Sequence, residues 1–79
     1  MKAKVYVRLK SGVLDPQGKA IQKSLHTLGF AGVESVRQGK VFDVELGTED
    51  SAKAKEWLNA MSEKLLANTV IEDFEIELM

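Results

Sequence analysis

The sequence predicts a small α+β domain with the element order β-α-β-β-α-β. Residues 3–9 alternate apolar and polar side chains, as do residues 74–78 of a last strand predicted at about 70–78, which is typical of half-buried strands. Two segments, residues 16–28 and 50–66, repeat apolar side chains with the helical period instead. Between them, two short apolar runs flank the tetrapeptide Arg37–Lys40. This order is that of the ferredoxin-like fold, and right-handed connections then predict an antiparallel sheet of order 4-1-3-2 with both helices on one face.

The first helix has a clear start and a clear end. Asp15 has the pattern of an N-cap and Pro16 that of a first helical residue, because the carboxylate accepts from free backbone N–H groups and proline has none to lose. Gly18 falls in the first turn, where glycine costs roughly 0.5–1 kcal/mol relative to alanine, so we expect a close contact to require it. Gly29 is expected to end the helix in a left-handed conformation. One apolar stripe follows the helix: Ile21, Leu25 and Leu28.

A β-hairpin is predicted in the middle of the chain. Its arms are Val33–Val36 and Val41–Leu46, and Arg37–Lys40 contains the glycine expected of the turn. Val33 and Val36 have opposite parity in a strand, which indicates a bulge or a frayed edge in the first arm.

The second half of the chain completes the sheet. Thr48–Ser51 offers several N-caps to the second helix, and the last strand has an acidic outer face. In the predicted order this strand lies beside the first, so Glu75 and Glu77 lie next to Lys4 and Arg8. Opposite charges across neighbouring strands support the topology.

Composition limits the function. The 79 residues form one domain, 1–79, without cysteine, and eleven basic against twelve acidic residues give a net charge of −1. Without a basic surplus, nucleic acid is not expected as a partner. Neither a signal peptide nor a run of about 20 apolar residues is visible, so we expect a cytoplasmic protein that does not enter a membrane. A core this small without disulfides favours a homodimer or a higher homo-oligomer.

No catalytic, metal or cofactor site is predicted on this chain. His26 has no carboxylate at helical spacing to orient it, and capping accounts for Asp15. The segment Gly12–Gly18 lacks both phosphate-loop spacings. What remains is an interaction module, and the sheet face opposite the helices, with Tyr6 and Val41 among charges, suits a partner.

Three motifs carry a family resemblance: Lys10–Gly18, Leu28–Phe30 and Val36–Lys40. With them and the ending Leu66–Glu72, essentially the whole chain resembles the PurS-type small subunit of phosphoribosylformylglycinamidine synthase, the enzyme of the glutamine-dependent amide-to-amidine step in purine biosynthesis. Thr69 stands where that family commonly has proline, a departure that concerns only the turn before the last strand.

The resemblance implies a non-catalytic subunit, usually dimeric. In the family a glutaminase subunit releases ammonia from glutamine, and a large synthetase subunit uses ATP and magnesium to activate the substrate amide. The small subunit is expected to hold the two together and to help shield the ammonia. An alternative from another class is a dimeric ferredoxin-like regulatory module that binds a small molecule, and a weaker third is a small hydrolase.

The partner-binding residues are expected in the loop after the first strand and in the turn after the second, because the predicted topology places both at one end of the sheet. They are Lys10, Gly12, Leu14, Gln17, Gly18, Arg37, Gly39 and Lys40. A second set is expected on the dimer or sheet face: Tyr6, Arg8 and Val41.

Overall fold

The computed structural model describes residues 1–79 and contains three strands and two helices. They are β1 (Lys2–Leu9), α1 (Pro16–Thr27), β2 (Gly39–Glu45), α2 (Ser51–Met61) and β3 (Glu72–Leu78). A single π-helical turn, Ser62–Leu66, extends α2. The α+β class and the predicted helices are therefore confirmed.

The sheet is antiparallel, with β1 in the centre and the order β2-β1-β3. Val5 faces Phe42 on one side and Ile76 on the other, so the apolar side chains of all three strands lie on one face. Lys4 faces Glu77 across the β1–β3 pair. The predicted placement of an acidic last strand beside the first strand is thus correct.

The core lies between this apolar face and α2. Val5, Val7 and Leu58 are fully buried, and Ala3 and Ala67 complete the cluster. Leu58 reaches the sheet because it lies four residues after Ala54, also fully buried, on one face of the helix. This small core fixes α2 to the sheet.

The second helix begins and ends for local reasons. The Asp50 carboxylate accepts hydrogen bonds from the backbone N–H groups of Ala52 and Lys53, at 3.0 and 3.2 Å. At the other end the buried Ser62 hydroxyl donates to the carbonyl of Leu58, and the N–H of Ala67 donates to the carbonyl of Ser62, five residues back. The predicted helix 50–66 thus ends in a π-helical turn.

The predicted strand Val33–Val36 does not form, so the sheet has three strands and the order 4-1-3-2 was wrong in this respect. The side chains of α1 bind the backbone of this segment instead: Gln22 Nε2 donates to the Glu34 carbonyl at 2.8 Å, and His26 Nε2 lies 2.7 Å from the Val33 carbonyl oxygen. The segment runs back along α1 without regular secondary structure. Gly39 and Lys40, predicted in a hairpin turn, begin β2.

Helix α1 and its return segment form an arm, residues 16–36, that extends away from the sheet. Of the helical residues only Gly18 is buried. The molecule measures 48 × 24 × 14 Å, and its radius of gyration of 16.0 Å exceeds the value of about 12 Å expected for a compact domain of this length. Packing of both helices on one sheet face is therefore observed for α2 and not for α1. No helix combines the length and apolar character needed to cross a membrane.

Candidate functional site

The two segments expected to bind partners meet through the carboxylate of Asp15. This residue caps α1: its Oδ1 accepts from the Gly18 N–H at 2.8 Å. Its Oδ2 accepts from the Gln38 N–H, also at 2.8 Å. The Gln38 and Gly18 hydrogen bonds, together with the positive charge of Arg37, lower the pKa of the Asp15 carboxyl. An ionised carboxylate therefore joins the start of α1 to the start of β2.

Arg37 makes a second connection between the same segments. One guanidinium nitrogen donates to the Val13 carbonyl at 2.8 Å and the other donates to the Lys10 carbonyl at 3.1 Å. The planar fork of arginine suits two acceptors held side by side. We call this set of contacts, made by Asp15, Gly18, Arg37 and Gln38, the joint.

Gly18 is a glycine because the return segment passes directly over it. A Cβ atom at this position would lie 2.2 Å from the backbone oxygen of Val36 and 2.9 Å from Oδ2 of Asp15. The expected close contact is therefore present. Gly12 has a different reason, since its φ of +87° is a conformation that glycine adopts without strain. The chain turns there before α1.

The structure brings most of the expected partner-binding residues to one end of the sheet. The predicted strand Val33–Val36 was expected to bring these residues together, but the hydrogen bonds of the joint do so instead. Leu14 and Gln17 are exposed beside it, and Leu14 is 71% exposed. Lys10 and Lys40 point their ammonium groups at β3, where Nζ of Lys40 lies 3.8 Å from the Glu72 carboxylate.

The second expected set, Tyr6, Arg8 and Val41, lies on the sheet face opposite the core. The Tyr6 hydroxyl donates to the Glu77 carboxylate at 2.9 Å, and this hydrogen bond raises the pKa of the phenol. Val41 faces Tyr6 across the β1–β2 pair and is 53% exposed. Arg8 is exposed, and its guanidinium makes no hydrogen bond or ion pair within the chain.

The sequence analysis identified the apolar stripe of α1 but did not predict that it would be exposed on the arm. Ile21 is 39% exposed and Leu28 is 72% exposed, and Phe30 just beyond the helix is 59% exposed. The helical period revealed the stripe, but it carried no information that α1 would leave its own sheet. The arm therefore presents apolar side chains with no partner in this chain.

Comparison with known proteins decides the family. The PurS family model, described as phosphoribosylformylglycinamidine (FGAM) synthase, matches residues 2–79. The chain belongs to the PurS family.

Individual PurS proteins agree with this assignment. The PurS subunit of Bacillus subtilis is 52% identical over 77 residues, 96% of this chain and 89% of the relative. The crystal structure of Methanocaldococcus jannaschii PurS, one of the subunits of formylglycinamide ribonucleotide amidotransferase in the purine biosynthetic pathway, superimposes with a TM-score of 0.86 at 46% identity, covering 96% of this chain and 92% of that one. A chain in the structure of PurLQS from Thermotoga maritima gives a TM-score of 0.88 at 32% identity, covering 99% and 95%. The ferredoxin-like fold is thus shared with solved PurS structures.

In this PurS chain, backbone groups hold the Asp15 carboxylate and the His26 ring in place. Each oxygen of Asp15 accepts one backbone N–H hydrogen bond, from Gly18 and from Gln38. The ring of His26 is bound to the Val33 carbonyl. No group of three or more histidine, cysteine, aspartate or glutamate side chains is arranged to hold a metal ion.

Proposed function

We propose that this chain is the non-catalytic small subunit of phosphoribosylformylglycinamidine synthase, where it bridges the glutaminase and the ATP-dependent synthetase and supports ammonia transfer. The observation that carries the proposal is the match of nearly the whole chain to PurS, including a chain of the Thermotoga maritima PurLQS structure. A molecule 48 Å long with a projecting arm can contact two larger proteins at once.

The chemistry of the chain supports a role without catalysis. It has no cysteine to attack glutamine, and its best-positioned carboxylate, Asp15, is committed to the joint. We therefore assign ATP and magnesium to the large subunit and no cofactor to this chain. A cytoplasmic location follows from the same assignment to purine biosynthesis.

Ammonia chemistry gives a bridging subunit a physical task. At neutral pH ammonia is mostly ammonium, which is not nucleophilic, and free ammonia diffuses away. A closed route between two active sites excludes water and limits both losses. A small domain that aligns the glutaminase with the synthetase provides this benefit by geometry alone.

The unpartnered arm supports a homodimer within this complex. The accessible surface is 5780 Å², whereas a compact monomer of this size exposes about 4,700 Å². The excess of about 1,000 Å² is comparable to the roughly 800 Å² that one partner buries in a standard interface. We assign a second copy to the apolar stripe. In each copy, α1 and the segment predicted as the fourth strand lie in the arm and do not pack on the sheet, so the stripe lacks a partner and the sheet lacks both elements.

The test is reconstitution of the synthase from its separate subunits. With this chain present, we expect glutamine-dependent activity; without it, the synthetase should still use added ammonia while glutamine-dependent activity falls strongly. Glutamine-dependent activity that is equal with and without the chain would contradict the proposal.

A further inference from the structure

The two arginines of the chain, Arg8 and Arg37, line one cleft at the joint end of the sheet. The cleft has a volume of about 570 Å³, and its walls are polar except for Leu9. The remaining lining residues are Ser11, Gly12, Gln38 and Gly39. Gly12, Arg37 and Gly39 of this lining belong to the expected partner-binding set, but no ligand has so far been assigned to the cleft.

Neither arginine has a carboxylate partner. All five ion pairs of the molecule are made by lysines or by the N-terminal amine. The guanidinium of Arg8 makes no hydrogen bond within the chain, and that of Arg37 donates only to two carbonyls, so donors remain on both groups. Two positively charged groups thus line the cleft, and neither forms an ion pair with a carboxylate of this chain.

The carboxylates near the cleft are already occupied. Asp15 is held by the N–H groups of Gly18 and Gln38. Asp73, which faces Arg8 across the β1–β3 pair, lies 4.0 Å from the ammonium of Lys10, and Glu72 pairs with Lys40. None of these three acids makes a hydrogen bond or an ion pair with either arginine.

Two residues that line the cleft also have unpaired backbone donors. The N–H groups of Ser11 and Gly12 form no hydrogen bond within the protein, and the Ser11 hydroxyl forms none either. Gly12 has a positive φ, and an added Cβ at Gly39 would lie 2.8 Å from the Val7 backbone oxygen and 3.1 Å from Cγ of Arg8, so both positions of the wall favour glycine. Arginine forks and free N–H groups are the donors that recognise carboxylates.

We propose that this cleft binds an acidic side chain, aspartate or glutamate, presented by one of the two larger subunits of the synthase. A protein carboxylate fits better than a phosphate, because Asp15, Glu72 and Asp73 around the cleft disfavour a dianion. The cleft is open and almost without apolar lining, so it suits a protruding segment of a partner and offers little to a base or a sugar. The inference rests on the proposed bridging function and locates one of its contacts.

Arg8 is the residue to change, because its side chain has no structural partner. In the reconstituted complex, Arg8→Glu is expected to weaken binding to the larger subunits by at least about tenfold and to reduce the dependence of binding on salt. Arg8→Lys keeps the charge without the fork and is expected to lie between Arg8→Glu and the unaltered chain. Lys55→Glu, on the exposed side of α2, makes the same charge change away from the cleft and should stay within about twofold.

The outcomes are distinguishable from those of the proposed function. If the unaltered chain fails to restore glutamine-dependent activity, the bridging function is contradicted. If it restores activity but Arg8→Glu binds as tightly as Lys55→Glu, the cleft proposal is contradicted alone. A change of oligomeric state in Arg8→Glu, measured by light scattering, would assign the acidic partner to a second copy and would equally overturn it.

Discussion

The carboxylate of Asp15 accepts a hydrogen bond from the backbone N–H of Gln38, twenty-three residues further along the chain. The same carboxylate caps α1 through Gly18. One side chain thus sets the direction in which the arm leaves the sheet and the point at which the chain enters β2. Since the proposed partner contacts surround this joint, its rigidity matters for assembly.

Stability should fall in acid through Asp15. The joint lowers the pKa of this carboxyl from its ordinary value of 3.8, so its contribution is present above pH 3.8 and is lost as the pH falls through the lower native pKa. Asp15→Asn removes the titrating group and should show a weaker fall in stability below pH 3.8. Chemical denaturation across this range measures the difference. Equal acid sensitivity of both proteins would show that Asp15 does not control it.

Gly18→Ala should destabilise the joint. The new Cβ would lie 2.2 Å from the Val36 oxygen, so backbone must move, at a cost of about 1–3 kcal/mol. Gly32→Ala is the matched control, since nothing lies within 4 Å of its Cβ position and its φ is not positive. It should change the free energy of unfolding by less than about 0.5 kcal/mol. Urea denaturation of the two variants compares them, and equal effects would contradict the contact.

Arg37→Lys should loosen the loop without removing the charge. Lysine cannot span the Lys10 and Val13 carbonyls together, so the Val13 N–H, which donates to the Lys10 carbonyl, should exchange faster with solvent. Lys40→Gln removes an ion pair between an exposed ammonium and the largely buried Glu72 carboxylate, and it should leave that exchange rate unchanged because the Lys40 side chain makes no hydrogen bond to the loop. Charge reversal at Lys40 is therefore the cleaner test of partner contact, because reversal at Arg37 also disturbs the loop. Unchanged exchange in Arg37→Lys would show that one hydrogen bond suffices.

Leu28→Asp should prevent dimerisation. It places a charge on the apolar stripe of α1, where Leu28 is 72% exposed in a single copy and would be buried in the proposed dimer. Lys23→Asp changes the polar side of the same helix and should leave the dimer intact. Light scattering after size-exclusion chromatography gives the mass of each. A dimeric Leu28→Asp protein would place the second copy elsewhere.

The sequence predicted most of the elements because their patterns are local. The alternation in β1 and the spacing of Ala54 and Leu58 in α2 each depend on one face meeting one core. The opposite charges of Lys4 and Glu77 even indicated which strands are neighbours, and the register places them opposite each other.

The errors concern where an element lies relative to the others. Val33–Val36 has enough apolar character for a strand. Side chains of α1, those of Gln22 and His26, bind its carbonyl groups in place of a neighbouring strand. The apolar stripe of α1 predicts that this face is buried, but it does not indicate whether the same chain or a second copy covers it. The joint was only partly predictable. The sequence predicts Asp15 as a helix cap, but its second hydrogen bond, from the Gln38 N–H, depends on the return segment bringing residue 38 back to the start of α1.

The central claim is that this chain holds the glutaminase and the synthetase together. Analytical ultracentrifugation of the two larger subunits, with and without the chain, tests it directly. We predict that the glutaminase sediments with the synthetase only when the chain is present. Co-sedimentation to the same extent in its absence would contradict the account.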